Sequence, residues 1–306
     1  MKFFYKEKLD NGIRNLYLLG LKVLSYKHIK NFSLDFSNAD IDIQKYVALN
    51  RHKNEIINLI LGSSHARDGF SPSKYYFNLG NSSLDLYRLY KLYEYCINNN
   101  FNNLKNLIIF FDVFSPGLQL EKTKEAYKTI PYKYLYNIEY QFPLSEIYRN
   151  YEKGLRKYLT AHTDIYVDNN YWGASPRNVT HDLSVTPQAL TAKHLKNNSR
   201  NNGQIKFLEN IFMLANKHSH KVYIVTPPYK KEYTQCLPRF EIVFKELLDL
   251  LAKYHDVTLL NFQNDNDFID SDFDDWDHLN TKGAEKLSNK IILNIHQAAE
   301  YGENRC

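Results

Sequence analysis

The sequence predicts an α/β protein: a three-layer α/β/α sandwich on a parallel five-stranded sheet, with an insertion after the third strand. Three observations predict it. Short, continuous apolar runs recur along the 306 residues, as in strands buried on both faces. Between them lie longer segments whose apolar residues repeat at helical spacing. The stretch 115–200 is too long for a plain connection between two elements.

The first strand is expected in Ile56–Gly62, an apolar run closed by glycine, and a shorter second one in Tyr75–Leu79. Leu84, Leu86, Leu89, Tyr90, Leu92, Tyr93 and Cys96 then form a broad helical stripe. Asn106–Asp112 reads as the third strand, Lys221–Thr226 as the fourth and Val257–Phe262 as the fifth. Ile205, Leu208, Ile211, Phe212 and Ala215 mark one intervening helix, and Phe240 to Tyr254 another. A last helix carries Ala284, Leu287, Ile291 and Ile295, with Thr281 expected as its N-cap. Strands alternating with amphipathic helices imply a sheet covered on both faces. The insertion at about 115–200 is expected to fold above the carboxyl edge of the sheet. Residues 1–50 read as a small N-terminal segment, a hairpin around Gly20 followed by polar linker, and 51–306 as the main domain.

Hydrophobic residues at 43% and charged residues at 24% fit a soluble globular chain. The net charge of +5 is mild and spread along the chain, which reads as a solvated surface and gives no reason to expect nucleic acid. Cys96, Cys236 and Cys306 are odd in number and lack metal-ligand spacing, as expected of reduced thiols in an intracellular protein. The N-terminus has no apolar signal core, and no run approaches the ~20 apolar residues needed to span a bilayer. The expectation is a cytoplasmic protein without a transmembrane segment. The 25 Tyr and 18 Phe fit a coding bias as readily as a functional need.

In open α/β sheets ligands sit beyond the carboxyl ends of the strands, and two sequence features converge there. The first is Gly62-Ser63-Ser64-His65-Ala66-Arg67, directly after the first strand. Glycine permits a tight turn, and a serine just beyond it can present its hydroxyl near backbone N–H groups. The second is Asp274-Asp275-Trp276-Asp277-His278-Leu279-Asn280, just before the last helix. A histidine that takes a serine proton needs a carboxylate to hold its tautomer and stabilise the imidazolium. An Asp three residues earlier on a tight loop can turn back onto the far ring nitrogen. The same cluster of Asp274, Asp275, Asp277 and His278 could hold a divalent cation, but no second ligand cluster accompanies it.

Together, Gly62-Ser63-Ser64 and Asp275-x-x-His278 resemble the first and last blocks of the SGNH/GDSL-hydrolase superfamily. The Leu-Asn-x-x-Gly-Ala that follows His278 resembles members acting on bacterial surface polysaccharides. The stretch Asn15–Lys27 is similar to an N-terminal segment of some polysaccharide-biosynthesis enzymes. The resemblance implies a flavodoxin-like sheet order, Ser64 as nucleophile, His278 as base and Asp275 as its orienter. Asp277 is the second choice of orienter and Ser63 of nucleophile. It also implies an oxyanion hole built from the N–H of Ser64 and from Gly80, with Asn81 as a neighbouring donor. The superfamily's third block departs: Asp112 stands where an asparagine donor is expected, leaving two donors, or Ser115 or Asn81, to serve. An ionised carboxylate only accepts hydrogen bonds.

His65 and Arg67 beside the nucleophile are candidate contacts for an anionic substrate group. Tyr229, at the end of the fourth strand, should line the same edge, and Trp172 could stack on a sugar. The function these residues imply is acyl transfer through an acyl-serine intermediate on a carbohydrate or other acyl-ester substrate. It would be an esterase with water as acceptor, or an O-acetyltransferase with a sugar hydroxyl, and it calls for no cofactor and no metal. A non-catalytic glycan-binding protein on the same fold and a metal-dependent phosphoesterase are the alternatives.

Overall fold

The computed structural model describes residues 37–144, 146–161, 166–174, 183–198 and 203–303. Five strands, β1 (Asn58–Leu61), β2 (Tyr76–Asn78), β3 (Asn106–Phe110), β4 (Lys221–Thr226) and β5 (Val257–Asn261), form one sheet in the order β2-β1-β3-β4-β5. Every pairing is parallel, in the expected flavodoxin-like order. Leu59 lies level with Leu107, Leu107 with Val222 and Val222 with Val257. Because side chains alternate along a strand, Leu59, Leu61, Leu107, Ile109, Val222 and Ile224 fall on one face. Ile60, Ile108, Phe110, Tyr223, Val225 and Leu260 fall on the other.

Helices cover both faces. On the first lie α1 (Ser37–Arg51), α3 (Leu86–Asn98), α7 (Ile205–Lys217), the short α8 (Lys231–Gln235) and the pair α9 (Phe240–Val243) and α10 (Lys245–Leu251). On the second lie α2 (Ser64–Gly69) and α11 (Thr281–Glu303), through Ala66, Leu287, Ile291 and Ile295. The single helix expected over 240–254 is broken at Phe244, whose backbone (φ −106°, ψ 21°) leaves the helical region while its ring is fully buried. Thr281 opens α11 rather than capping it. Asn280 is the cap, its side-chain oxygen accepting from Gly283 N at 3.1 Å.

The hairpin expected around Gly20 lies outside the described residues. The following stretch, read as polar linker, is helical from Ser37. Its helix α1 sends Ala48 and Leu49 into the core and buries Asp42 and Lys45, so its polar sequence disguised an inward face.

Between β3 and α7 the insertion contributes two 3₁₀ turns, Leu120–Lys122 and Ala126–Thr129, then α4 (Ile130–Tyr136), α5 (Glu146–Ala161) and α6 (Pro187–Asn198). Ala39, Ile130 and Leu155 form a small core there, flanked by Tyr127, Tyr140, Tyr148, Tyr151 and Tyr158, which gives part of the tyrosine excess a packing role. The insertion is tied to the sheet domain by a buried ionic cluster. Arg88 of α3 pairs with its own N-cap Asp85 at 2.8 Å and with Glu121 of the insertion. Glu121 also accepts from the backbone of Gln141 and Phe142, so the buried charges are bonded on several sides. Among the described residues no helix is long and apolar enough to cross a membrane.

Candidate active site

Strand β1 delivers the chain to Gly62, where φ is +154°. A Cβ there would stand 2.7 Å from the Cβ atoms of both Ala66 and Phe110, so only glycine admits this packing. Ser63 follows as N-cap of α2, its hydroxyl accepting from His65 N at 3.3 Å and donating to Asp112. It is 2% exposed, and its hydroxyl is committed to Asp112. Ser64, the first residue of α2, is the serine that meets the histidine. Its Oγ lies 2.8 Å from Nε2 of His278.

The loop that carries His278 is a tight turn pinned at its base. Phe273 and Leu279 bridge, Asp274 N donates to the His278 carbonyl at 2.9 Å, and the Asn280 amide donates to the Ser271 carbonyl at 2.8 Å. Asp275 closes the turn with its side chain. Its Oδ1 accepts from the backbone N–H of Asp277 at 3.0 Å and of His278 at 2.7 Å. This is the habit of aspartate in turns, and it explains the three-residue spacing. The carboxylate that caps the turn is thereby held 3.0 Å from the ring Nδ1 of His278. Asp277 reaches the same Nδ1 with Oδ1 at 3.2 Å. It is almost fully buried, whereas Asp275 keeps some exposure.

Burial by itself would lower the His278 pKa, but the Asp277 charge and the bonds to both carboxylates outweigh it and raise the pKa above its ordinary value. Asp277 is held well below the carboxylate range: burial opposes this, and the charges and hydrogen bonds of His278 and His65 overcome it. With its Nδ1 proton facing carboxylates, neutral His278 presents a free lone pair at Nε2 to the Ser64 hydroxyl. That is the arrangement a general base requires.

The loop after β2 packs against the same helix. A Cβ at Gly80 would come within 2.6 Å of the Ala66 Cβ and 2.7 Å of Arg67 N. Its N–H is taken up by the Asn78 side-chain oxygen at 2.8 Å, and Asn78 Nδ2 in turn donates to the Ala66 carbonyl at 2.7 Å. The Gly80 carbonyl accepts from the buried Lys45 of α1. Asn81 N donates to the Gly62 carbonyl at 3.2 Å, and its side chain donates to Asp42 at 2.7 Å. Neither expected oxyanion donor is free in this arrangement, because each is used to hold the loop. The Ser64 N–H, at the first helical position where backbone donors lack intrahelical partners, is the donor best placed. Ser115 accepts from Asp112 N at 2.8 Å, inside the fold.

Most of the residues expected to touch substrate are engaged within the protein. His65 is buried, its ring stacked on His278 with centroids 4.5 Å apart and planes 13° from parallel. Arg67 pairs with Asp68 and with Ser82 along the loop. Tyr229 is buried beside His65, at 5.8 Å between rings. Trp172 stacks on His52 at 4.2 Å and lies beside Tyr75, while its carbonyl accepts from Asn78 N, at the end of β2, at 2.9 Å. Two acids to which the sequence reading gave other parts, Asp112 as the missing oxyanion donor and Asp277 as the second choice of orienter, are central. Asp112 and Asp277 flank His65, at 2.8 Å from Nδ1 and 3.1 Å from Nε2. An acid placed directly after β3 was the available signal for Asp112.

His65, Asp277 and His278 have donor atoms within 4.8 Å of one another, a spacing a metal ion could use. Each of these atoms also faces an acid–base partner, and the two carboxylates raise the His65 pKa well above the imidazole range against the opposing effect of burial.

No family model matches the chain, and no curated protein matches it. Among solved structures it is similar to a protein described as a lipolytic member of the G-D-S-L family, from Desulfitobacterium hafniense DCB-2. The identity is 11% and the TM-score 0.32, covering 76% of this chain and 96% of that one. A likeness this distant carries no chemistry across.

Proposed function

We propose that the chain is a serine acyl-ester enzyme in which Ser64, His278 and Asp275 act together. The observation that carries the reading is the 2.8 Å contact from Ser64 Oγ to His278 Nε2, with a carboxylate on the opposite ring nitrogen. As Ser64 Oγ attacks the ester carbonyl, its proton passes to Nε2. The developing oxyanion is met by the Ser64 N–H. Collapse of the tetrahedral intermediate breaks the bond to the leaving alcohol, which takes the proton from Nε2 and leaves acyl-Ser64. Water or a sugar hydroxyl then gives its proton to His278 and attacks the acyl carbonyl; collapse breaks the acyl–Ser64 bond, and Ser64 Oγ takes the proton back from Nε2. The first acceptor makes an esterase and the second an O-acyltransferase.

The acyl group we favour is acetyl, on a carbohydrate such as a bacterial surface polysaccharide or its precursor, with the protein working in the cytoplasm. The resemblance of the Asp275–Ala284 segment to carbohydrate-acting relatives supports the substrate. One oxyanion donor fewer typically costs roughly 10²–10³ in rate, which favours a slow, selective enzyme over a general esterase. Hydrolysis of a chromogenic acetyl ester tests the reading. Turnover that vanishes in Ser64→Ala and His278→Ala is expected, and turnover unchanged in both would refute it.

A further inference from the structure

The ring stacked on His278 is itself enclosed by charge. Asp112, just past β3, sits 2.8 Å from Nδ1 of His65, an ion-pair contact off the line of an ideal hydrogen bond. Asp277, from the loop before α11, sits 3.1 Å from Nε2. All three side chains are within 4% of complete burial. The remaining neighbours are neutral. His194 of α6, whose Nδ1 is 3.8 Å from Asp277, is bonded to the Tyr233 hydroxyl at 2.7 Å, and burial lowers its pKa to about 4. Tyr229 and Tyr233 have their pKa values pushed up, by burial first, and stay protonated. Ser63 donates its hydroxyl to the far oxygen of Asp112.

Two buried carboxylates facing the two nitrogens of one imidazole are best satisfied by a proton on each nitrogen. On the proposed serine chemistry, on which this inference rests, we infer that His65 is a positioning residue for His278: a permanent imidazolium that engages Asp277 and sets its own positive charge against the stacked ring. Asp277 touches both rings, 3.1 Å from His65 and 3.2 Å from His278. Without the His65 charge, Asp277 and Asp275 would both act on His278 alone and hold it protonated, which disables a base. The His65 cation works in the opposite direction, lowering the His278 pKa, while the shared carboxylate fixes the plane of the His278 ring. His65 touches no reacting atom. It acts through Asp277 and through the stack.

The test begins on the wild-type protein. Long-range ¹H–¹⁵N spectra of the histidine rings are recorded from about pH 6 to about pH 8, the range in which an ordinary imidazole titrates. His65 is expected to keep both ring protons throughout while His278 loses one. A neutral, single-tautomer His65 at neutral pH overturns the inference. The second arm uses His65→Gln, which keeps a donor and removes the charge. The acidic limb of its kcat/KM profile should move to higher pH by about one pH unit. A lower rate with an unmoved limb would mean that His65 only fills space, and would overturn the inference too. The spectra need no substrate, so a neutral His65 and a failed ester assay are separate results, one against this inference and the other against the serine chemistry.

Discussion

Asp277 lies 3.2 Å from Nδ1 of His278, on the nitrogen that Asp275 already holds at 3.0 Å. One carboxylate closes the turn and the other is shared with His65, so the ring is oriented from two sides. Asp275→Asn and Asp277→Asn should each leave measurable turnover, because the other carboxylate still faces Nδ1. The double variant should lose about 10⁴-fold, the cost of removing a catalytic carboxylate outright. A double-mutant cycle on kcat/KM checks this. Strictly additive losses would mean that the two carboxylates act independently and that neither stands in for the other.

The pH dependence has a definite sign. His278 must be neutral to accept the Ser64 proton, and its pKa is raised, so activity should climb with pH through a value above the ordinary ~6.5. Stability runs the other way for this group. A raised folded pKa stabilises fully below the unfolded value, and that contribution is lost as pH rises through the folded pKa. Asp277, held low, stabilises above the ordinary carboxylate pKa and loses its contribution as pH falls toward its folded value. Urea denaturation and kcat/KM measured over the same pH series should therefore move in opposite directions on the alkaline side of ~6.5.

Arg88→Met should destabilise the fold by about 3–5 kcal/mol, because it leaves Asp85 and Glu121 buried without their cation. Glu121 is the insertion's tie to α3, so proteolysis within 115–200 should quicken as well. Urea denaturation measures the first effect and limited proteolysis the second.

Gly80→Ala should cost about 1–3 kcal/mol, since the new methyl meets Ala66 and the backbone of Arg67. Both atoms belong to the helix that begins with Ser64, so turnover should fall even where the variant is fully folded. Melting temperature and kcat/KM of the same preparation separate the two losses.

The parallel strands were legible in the sequence because continuous apolar runs such as Asn106–Phe110 have few alternatives to burial in a sheet. The final segment was legible because Asp275 and His278 are neighbours in one turn, where sequence spacing already implies contact. Ser64 and His278 are 214 positions apart, and their pairing came through resemblance to a known pattern. What the sequence hid was burial of charge. His65 and Arg67 read as contacts for an anionic substrate group, yet His65 is enclosed by two acids from two other loops, which no local pattern reveals. Helix α1 hid for the same reason: its Asp42 and Lys45 look solvated and instead bind the loop around Gly80. Trp172 stacks on His52, a contact across 120 positions that periodicity cannot supply.

The most direct test of the account is covalent labelling by a serine-reactive fluorophosphonate, with the modified residue located by peptide mass. The geometry predicts a single adduct on Ser64, abolished in Ser64→Ala and strongly slowed in His278→Ala. Labelling that falls on another residue, or that persists in Ser64→Ala, would contradict it.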